Sequence, residues 1–120
     1  MDGKDSLKQT MEIVDSFTSQ RDWDQFHTVK NLISSISIEA AELSETVQWS
    51  NPSKEDVLAD PKLVESMSHE LADVMVYCLR LCSVLNQDPV QIMHDKIKLN
   101  AEKYPIDKVK GSSKKYSDYD

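Results

Sequence analysis

Apolar residues along this chain recur at the three- and four-residue spacing of α-helices rather than at the alternating spacing of strands. The pattern predicts four helices, over residues 6–20, 28–48, 61–86 and 89–104, and one helical turn over 54–59. The last two helices each begin at an Asp-Pro pair, Asp60-Pro61 and Asp88-Pro89. Aspartate caps the free N–H groups of a helix and proline fits its first position, so these pairs are typical helix starts.

Glycine occurs twice and proline four times among the 120 residues, which favours helices joined by short connections over a turn-rich β fold. The predicted fold class is therefore all-α, with a four-helix subunit. Residues 1–105 are predicted to form one helical domain. Residues 106–120 contain Gly111 followed by two serines and carry alternating charges, so a loose C-terminal tail is predicted there.

The third predicted helix is apolar on nearly all sides. From Leu71 to Leu85 its only charged residues are Asp73 and Arg80. Such a helix has to be covered from several directions, and three partner helices in a chain of this length barely suffice. We therefore expect it to pack against the same helix of a second subunit through a two-fold interface.

Two acidic pairs, Glu39/Glu42 and Glu70/Asp73, interrupt apolar helical stretches. Carboxylates three residues apart are neighbours on one helix face. Glu39 also shares the apolar face of the second helix, so it should point inward. Four inward carboxylates repel one another and are costly to desolvate unless a cation joins them. The pattern predicts a divalent metal site, with Mg²⁺ bridging to the phosphates of a substrate as the commonest case.

The charge balance narrows the choice of partners. The 14 basic and 21 acidic residues give a formal net charge of −7, which argues against a nucleic-acid polymer or an anionic membrane as a partner. A small phosphorylated substrate is not excluded, because a bound cation inverts the local field. The chain has no apolar run long enough to span a membrane and no cleavable leader pattern, so a cytoplasmic location is expected.

Residues outside the acidic pairs suggest further parts of a site. Tyr77 and Arg80 continue the polar stripe of Glu70 and Asp73 along the third helix, and Arg80 alternatively serves only to neutralise the carboxylates. Trp23 and Trp49 flank the second helix, where aromatic faces are able to stack on a nucleobase or else simply cap the core.

An ordered series of motifs spans about residues 6–115. The motifs are Phe17-x3-Arg21-Asp22-Trp23-x2-Phe26-His27, Lys30-Asn31-Leu32, Glu39-x2-Glu42-Leu43-x-Glu45, Gln48-Trp49, Glu70-Leu71-x-Asp73-Val74 and Asn100-x2-Lys103-Tyr104-Pro105. This series resembles the MazG-like all-α nucleotide pyrophosphohydrolases, and in particular their small dCTP pyrophosphatase branch.

The resemblance implies a helical subunit that assembles as a dimer or a dimer of dimers. It also implies Mg²⁺-dependent hydrolysis of a nucleoside triphosphate between its α and β phosphates. By position, Glu39, Glu42, Glu70 and Asp73 would hold Mg²⁺, and Glu39 or Glu42 is a candidate general base. The implied nucleotide-binding residues are Trp23, Asp24, Gln25, Phe26, His27, Trp49 and Tyr77. The implied phosphate or subunit-boundary contacts are Lys30, Asn100 and Lys103.

The resulting hypothesis is a dNTP pyrophosphohydrolase, with dCTP or a modified form favoured, that removes unwanted nucleotides. Relatives can carry a histidine where this chain has Val14, which leaves base selectivity open. Two alternatives remain: a zinc hydrolase using His69, Glu70 and Asp73, or a helical regulatory module that binds nucleotide without chemistry.

Overall fold

The computed structural model describes residues 6–112, and within them the chain is helical, with no strand. The described helices are α1 (Leu7–Gln20), a 3-10 helix (Asp24–Phe26), α2 (Val29–Glu45), α3 (Lys54–Leu58), α4 (Pro61–Val84), α5 (Pro89–Lys103) and α6 (Ile106–Val109). The four long helices confirm the predicted all-α fold, and α3 is the predicted extra turn.

Side-chain caps start the helices where the sequence indicates. The five capping side chains, each accepting from a backbone N–H of the first turn, are Ser6, Thr28, Ser53, Asp60 and Asp88. Each cap satisfies a donor that has no partner inside the helix. Pro61 and Pro89 occupy the first helical positions, as predicted.

The chain divides into two compact units, one ending at Asn86 and one beginning at Gln87. The prediction of a single domain over 1–105 is not tested by this division and stays a prediction. Within the second unit residues 106–109 form the short helix α6, where a loose tail was expected. Pro105 supplies a helix-compatible start for it, and residues 113–120 of the predicted tail lie outside the described residues.

In the first unit α4 is the central helix, and it packs against α1, α2 and α3. The contact with α2 is the most extensive, and Leu32 of α2 is fully buried. Many other large apolar side chains stay exposed, among them Ile13 on α1 and Leu71, Met75 and Val76 on α4. None of the described helices is both long enough and apolar enough to cross a lipid bilayer.

Helix α2 is shorter than its apolar pattern predicts. It ends at Glu45 rather than near Gln48, because Thr46, Val47 and Gln48 donate to carbonyls three residues back, which tightens the chain into turns. The Thr46 hydroxyl also donates to Leu43 O at 2.7 Å. Trp49 therefore follows a turn and does not continue the helix face.

The end of α1 positions Trp23. Asp22 adopts a left-handed backbone conformation with φ 56°, and the N–H groups of Asp22 and Trp23 donate to Ser19 O and Thr18 O. This pair of backbone hydrogen bonds terminates the helix and reverses the chain direction. The Trp23 ring then packs edge-on against Phe17, with ring centroids 5.8 Å apart.

Candidate active site

Three of the four predicted metal-ligating carboxylates converge between α2 and α4. One carboxylate oxygen from each of Glu39, Glu70 and Asp73 lies within 4.8 Å of the other two. Glu39 comes from α2 and the other two from α4, so the packing of these helices brings together the pairs that lie apart in the chain.

The fourth carboxylate, Glu42, lies beside Glu39 and Glu70 and contributes to the raised pKa of both. The four predicted residues thus form one cluster, called here the carboxylate cluster (Glu39, Glu42, Glu70 and Asp73). Glu39 Oε2 and Glu70 Oε2 are buried and have no hydrogen-bond partner. Buried polar atoms without partners are rare in native proteins, and an ion or an ordered water is a common partner for them.

The pKa values of two cluster members are displaced upward. Burial, interaction with the Glu42 side chain and repulsion from the neighbouring carboxylates raise the pKa of Glu39 from 4.5 to about 7. Burial and the same kind of neighbours also raise the pKa of Glu70. Such displacement at a cleft marks a candidate catalytic site.

The donor set of the carboxylate cluster consists only of carboxylate oxygens, which are the ligands preferred by hard divalent cations such as Mg²⁺, Mn²⁺ and Ca²⁺. The unpartnered Oε2 atoms of Glu39 and Glu70 fit this role, since a cation would supply the partner that the protein lacks. His69 is exposed and is not part of the converging group. The zinc alternative therefore loses its nitrogen ligand.

A cavity of about 410 Å³ adjoins the carboxylate cluster at Asp73 and is called here the apolar cavity. Its lining residues are Ile13, Val14, Phe17, Thr18, Trp23, His27, Asp73, Val76 and Tyr77. The volume falls in the range of small-molecule sites. The imidazole of His27 and the ring of Tyr77 are tilted toward each other, with centroids 6.3 Å apart.

A second cavity of about 330 Å³, the polar cavity, is lined by Glu42, Glu45, Thr46, Ser66 and Glu70. Asp73 lines the apolar cavity while Glu42 and Glu70 line the polar one. The carboxylate cluster therefore borders an apolar compartment on one side and a polar compartment on the other. This arrangement is suited to a ligand with an apolar part and a charged part.

The structure brings together only some of the predicted nucleotide-binding residues. Trp23, His27 and Tyr77 line the apolar cavity together. Asp24 instead forms an ion pair with Arg80, and the Gln25 amide donates to Asp22 O and Asp22 Oδ2 at 3.0 and 3.1 Å. Phe26 is an exposed part of the 3-10 helix and does not line either cavity.

The remaining predicted contact residues are Trp49, Lys30, Asn100 and Lys103. Trp49 is 90% exposed and lines neither cavity. Lys30 is exposed in the first turn of α2. Asn100 and Lys103 lie on α5, in the second unit. Their proposed roles in stacking and phosphate binding stay predictions.

Arg80 does not neutralise the carboxylate cluster. Its guanidinium pairs with Asp15 of α1 at 3.0 Å and with Asp24, and it donates to His27 Nδ1 at 3.0 Å. Arg80 lies ten residues beyond Glu70, about 15 Å along an α-helix, so the shared stripe does not bring the two together. The sequence analysis missed Asp15 and its neighbour Ser83, because nothing in the local spacing of either helix marks them as partners.

The chain is similar to proteins that are named pyrophosphatases. The sequence model of the MazG-like family matches residues 34–119. The chain is 32% identical to dCTP pyrophosphatase 1 of Mus musculus over 114 residues, covering 94% of this chain and 67% of the mouse protein. It is 28% identical to dCTP pyrophosphatase 1 of Homo sapiens, with 94% and 67% covered. The crystal structure of a pyrophosphatase from Archaeoglobus fulgidus is similar with a TM-score of 0.75 and 37% identity, covering 82% of this chain and 92% of the archaeal one.

Proposed function

The chain belongs to the MazG-like family and is a nucleotide pyrophosphohydrolase, and we propose that it uses Mg²⁺ to convert a deoxynucleoside triphosphate to the monophosphate and pyrophosphate. The favoured substrate is dCTP or a modified form of it, and the role is the removal of unwanted nucleotides. The observation that carries this proposal is the convergence of Glu39, Glu70 and Asp73 beside a cavity of nucleoside size.

Glu39, Glu42, Glu70 and Asp73 hold the metal in this proposal. The all-oxygen donor set and the two unpartnered Oε2 atoms support a hard cation. When bound, Mg²⁺ neutralises charge on the triphosphate and polarises its phosphoryl oxygens.

The protein itself supplies the base. Water forms a bond to the α-phosphorus while the bond from that phosphorus to the α–β bridging oxygen breaks, and pyrophosphate leaves. A carboxylate of Glu39 or Glu42 accepts the proton of the attacking water. A carboxylate oxygen that does not bind the metal is free to accept this proton.

The nucleoside occupies the apolar cavity. Trp23 offers an aromatic face for stacking, and His27 is a polar group at the wall. Asp73 belongs both to this cavity and to the converging carboxylates, so a nucleoside bound here directs its phosphates to the metal site. Tyr77 packs where a 2′-hydroxyl would sit, which favours deoxynucleotides over ribonucleotides.

The preference for cytosine rests on the mammalian relatives, which are dCTP pyrophosphatases. Val14 lines the apolar cavity with a side chain that offers no hydrogen bond. The alternative outcome is that the enzyme accepts a wider range of bases.

The enzyme acts as a dimer or a dimer of dimers. Leu71, Met75 and Val76 on α4 are 46%, 53% and 40% exposed, although they lie in the middle of the longest helix. Exposed apolar side chains on a central helix are typical of a surface that is covered in an assembly. A second copy of the chain, packed through α4, provides that cover.

The test is release of pyrophosphate from a panel of ribo- and deoxynucleoside triphosphates with Mg²⁺, and with Zn²⁺ in parallel. We expect pyrophosphate and monophosphate from dCTP, and none in EDTA. The matched variants are Glu70→Gln, which should be inactive, and Glu65→Gln on the exposed side of the same helix, which should be active. Release of inorganic phosphate alone, or activity only with Zn²⁺, would overturn the proposal, and binding without turnover would favour the regulatory module.

A further inference from the structure

Arg80 uses all three of its guanidinium nitrogens on three different side chains. Nη1 donates to Asp15 Oδ1 at 3.0 Å, Nη2 donates to Asp24 Oδ1, and Nε donates to His27 Nδ1 at 3.0 Å. The Arg80 side chain is only 11% exposed. Ser83, one turn further along α4, donates to the other oxygen of Asp15 at 2.9 Å.

This network ties together three elements. Asp15 lies on α1, Asp24 begins the 3-10 helix, His27 follows it, and Arg80 lies on α4. Two of the residues held in place, Asp24 and His27, belong to the segment that also carries Trp23 to the apolar cavity. Three of the five N–H donors of Arg80 are engaged in this network.

The bond from Arg80 determines the state of His27. The Nε of arginine always carries a hydrogen, so His27 Nδ1 has to be the acceptor and cannot itself be protonated. His27 is therefore neutral, and its Nε2 carries the proton. Burial and the charge of Arg80 both lower the pKa of His27, and the opposing effect of Asp24 is smaller. The group left to contact a ligand in the apolar cavity is a hydrogen-bond donor, Nε2–H.

We propose that Arg80 is a positioning residue that holds His27 as its neutral Nε2–H tautomer, so that His27 donates a hydrogen bond to an acceptor atom on the base of the bound nucleotide. The inference rests on the proposed function, because it assigns the base to the apolar cavity. A lysine at position 80 would keep the charge but not the planar arrangement of donors that reaches three partners.

The first test is the tautomer of His27, read from long-range ¹H–¹⁵N spectra of the imidazole nitrogens in the unliganded protein at neutral pH. We expect an unprotonated Nδ1 in the wild type. In Arg80→Met we expect Nδ1 to gain a proton, because Asp24 remains beside the ring and Tyr77 offers no compensating charge. Lys62→Met on the same helix removes the same charge as a control, and the rings of His69 and His94 are internal controls. A protonated Nδ1 in the wild type, or an unchanged Nδ1 in Arg80→Met, would overturn the inference.

The second test separates positioning from general destabilisation. If Arg80 acts through His27, Arg80→Met should raise KM for dCTP roughly tenfold, the equivalent of one hydrogen bond, with kcat changed less than about twofold. The double variant with His27→Ala should have the KM of His27→Ala alone, because the two substitutions remove the same interaction. Independent, multiplicative effects on KM would contradict the proposal.

If Arg80→Met does not fold, Arg80→Lys is the variant to test instead. It keeps the positive charge, and we expect it to restore folding but not the wild-type KM or the His27 tautomer. Full recovery of both by lysine would refute the role of the guanidinium geometry. A wild type that releases no pyrophosphate while its His27 spectrum is as expected would instead overturn the proposed function and leave the tautomer assignment standing.

Discussion

A carboxylate oxygen of Glu39 on α2 lies within 4.8 Å of a carboxylate oxygen of Asp73 on α4. Two like charges at this separation repel each other, and the partial burial of Glu39 adds to the cost. Asp73 also lines the apolar cavity, so the paired carboxylates lie beside it. A cation bound between the oxygens would offset this repulsion.

Loss of one cluster carboxylate should abolish most of the turnover. We expect Glu70→Ala, and likewise Asp73→Ala, to reduce kcat/KM by about 100-fold or more, because the metal loses a ligand. The free energy of unfolding of the metal-free protein should not fall, since one repelling charge is gone. Steady-state kinetics and urea denaturation measure the two effects. Wild-type activity in EDTA or in Glu70→Ala would rule out the metal site.

The stability of the metal-free protein should decrease as pH rises. Glu39 has its pKa raised from 4.5 to about 7 in the folded state, so between these values the folded protein binds more protons than the unfolded one. The free energy of unfolding therefore falls as pH rises through this window. We expect Tm in EDTA to decrease from pH 4.5 to pH 7 and the decrease to be smaller in Glu39→Gln. Added Mg²⁺ should raise Tm most at the upper end of the window, and a Tm that rises with pH in both proteins would contradict this.

Trp23 should act mainly on substrate binding. Its ring lines the apolar cavity, and stacking on a base contributes about 1–3 kcal/mol to ground and transition states alike. We expect Trp23→Ala to raise KM for dCTP roughly tenfold with little change in kcat. Trp49→Ala is expected to raise KM as well if the proposed stacking is correct. Ile38→Ala, an exposed apolar position on α2 that lines neither cavity, is the control.

Assembly should depend on the exposed face of α4. Met75 is 53% exposed in the single chain, and a charge there opposes burial against a second copy. Sedimentation at micromolar concentration should give at least a dimer for the wild type and a smaller species for Met75→Lys. Ser19→Lys makes the same charge change at an exposed polar position of α1 and should leave the assembly intact. A compact, active wild-type monomer would refute the interface.

The stability of the turn before Trp23 should depend on the backbone conformation of Asp22. Asp22 has φ 56°, a conformation that glycine adopts without steric cost and alanine does not. We expect Asp22→Gly to be more stable than Asp22→Ala by about 1 kcal/mol, measured by urea denaturation. Both variants lose the hydrogen bond from Gln25 to Asp22 Oδ2, so the difference between them isolates the backbone effect. Equal stabilities would show that the turn is not under this constraint.

The helices and the acidic pairs could be predicted from the sequence because both depend on residues a few positions apart. The caps at Ser6, Asp60 and Asp88 bind N–H groups two or three residues away. Apolar spacing placed Leu32 and Glu39 on one face of α2, and Leu32 is fully buried. The relatives confirm the family and the class of enzyme that the ordered motifs indicated.

The tertiary structure decided which of these side chains meet. Arg80 bonds to His27 and Asp15, residues 53 and 65 positions away, and no local spacing encodes those contacts. The pKa of Glu39 likewise depends on α4 packing against α2. The sequence alone determined local structure, since capping and periodicity act over one or two turns of helix. Charge pairing, burial and the cavity wall were set only by packing, because they depend on distances between helices that are remote in the chain.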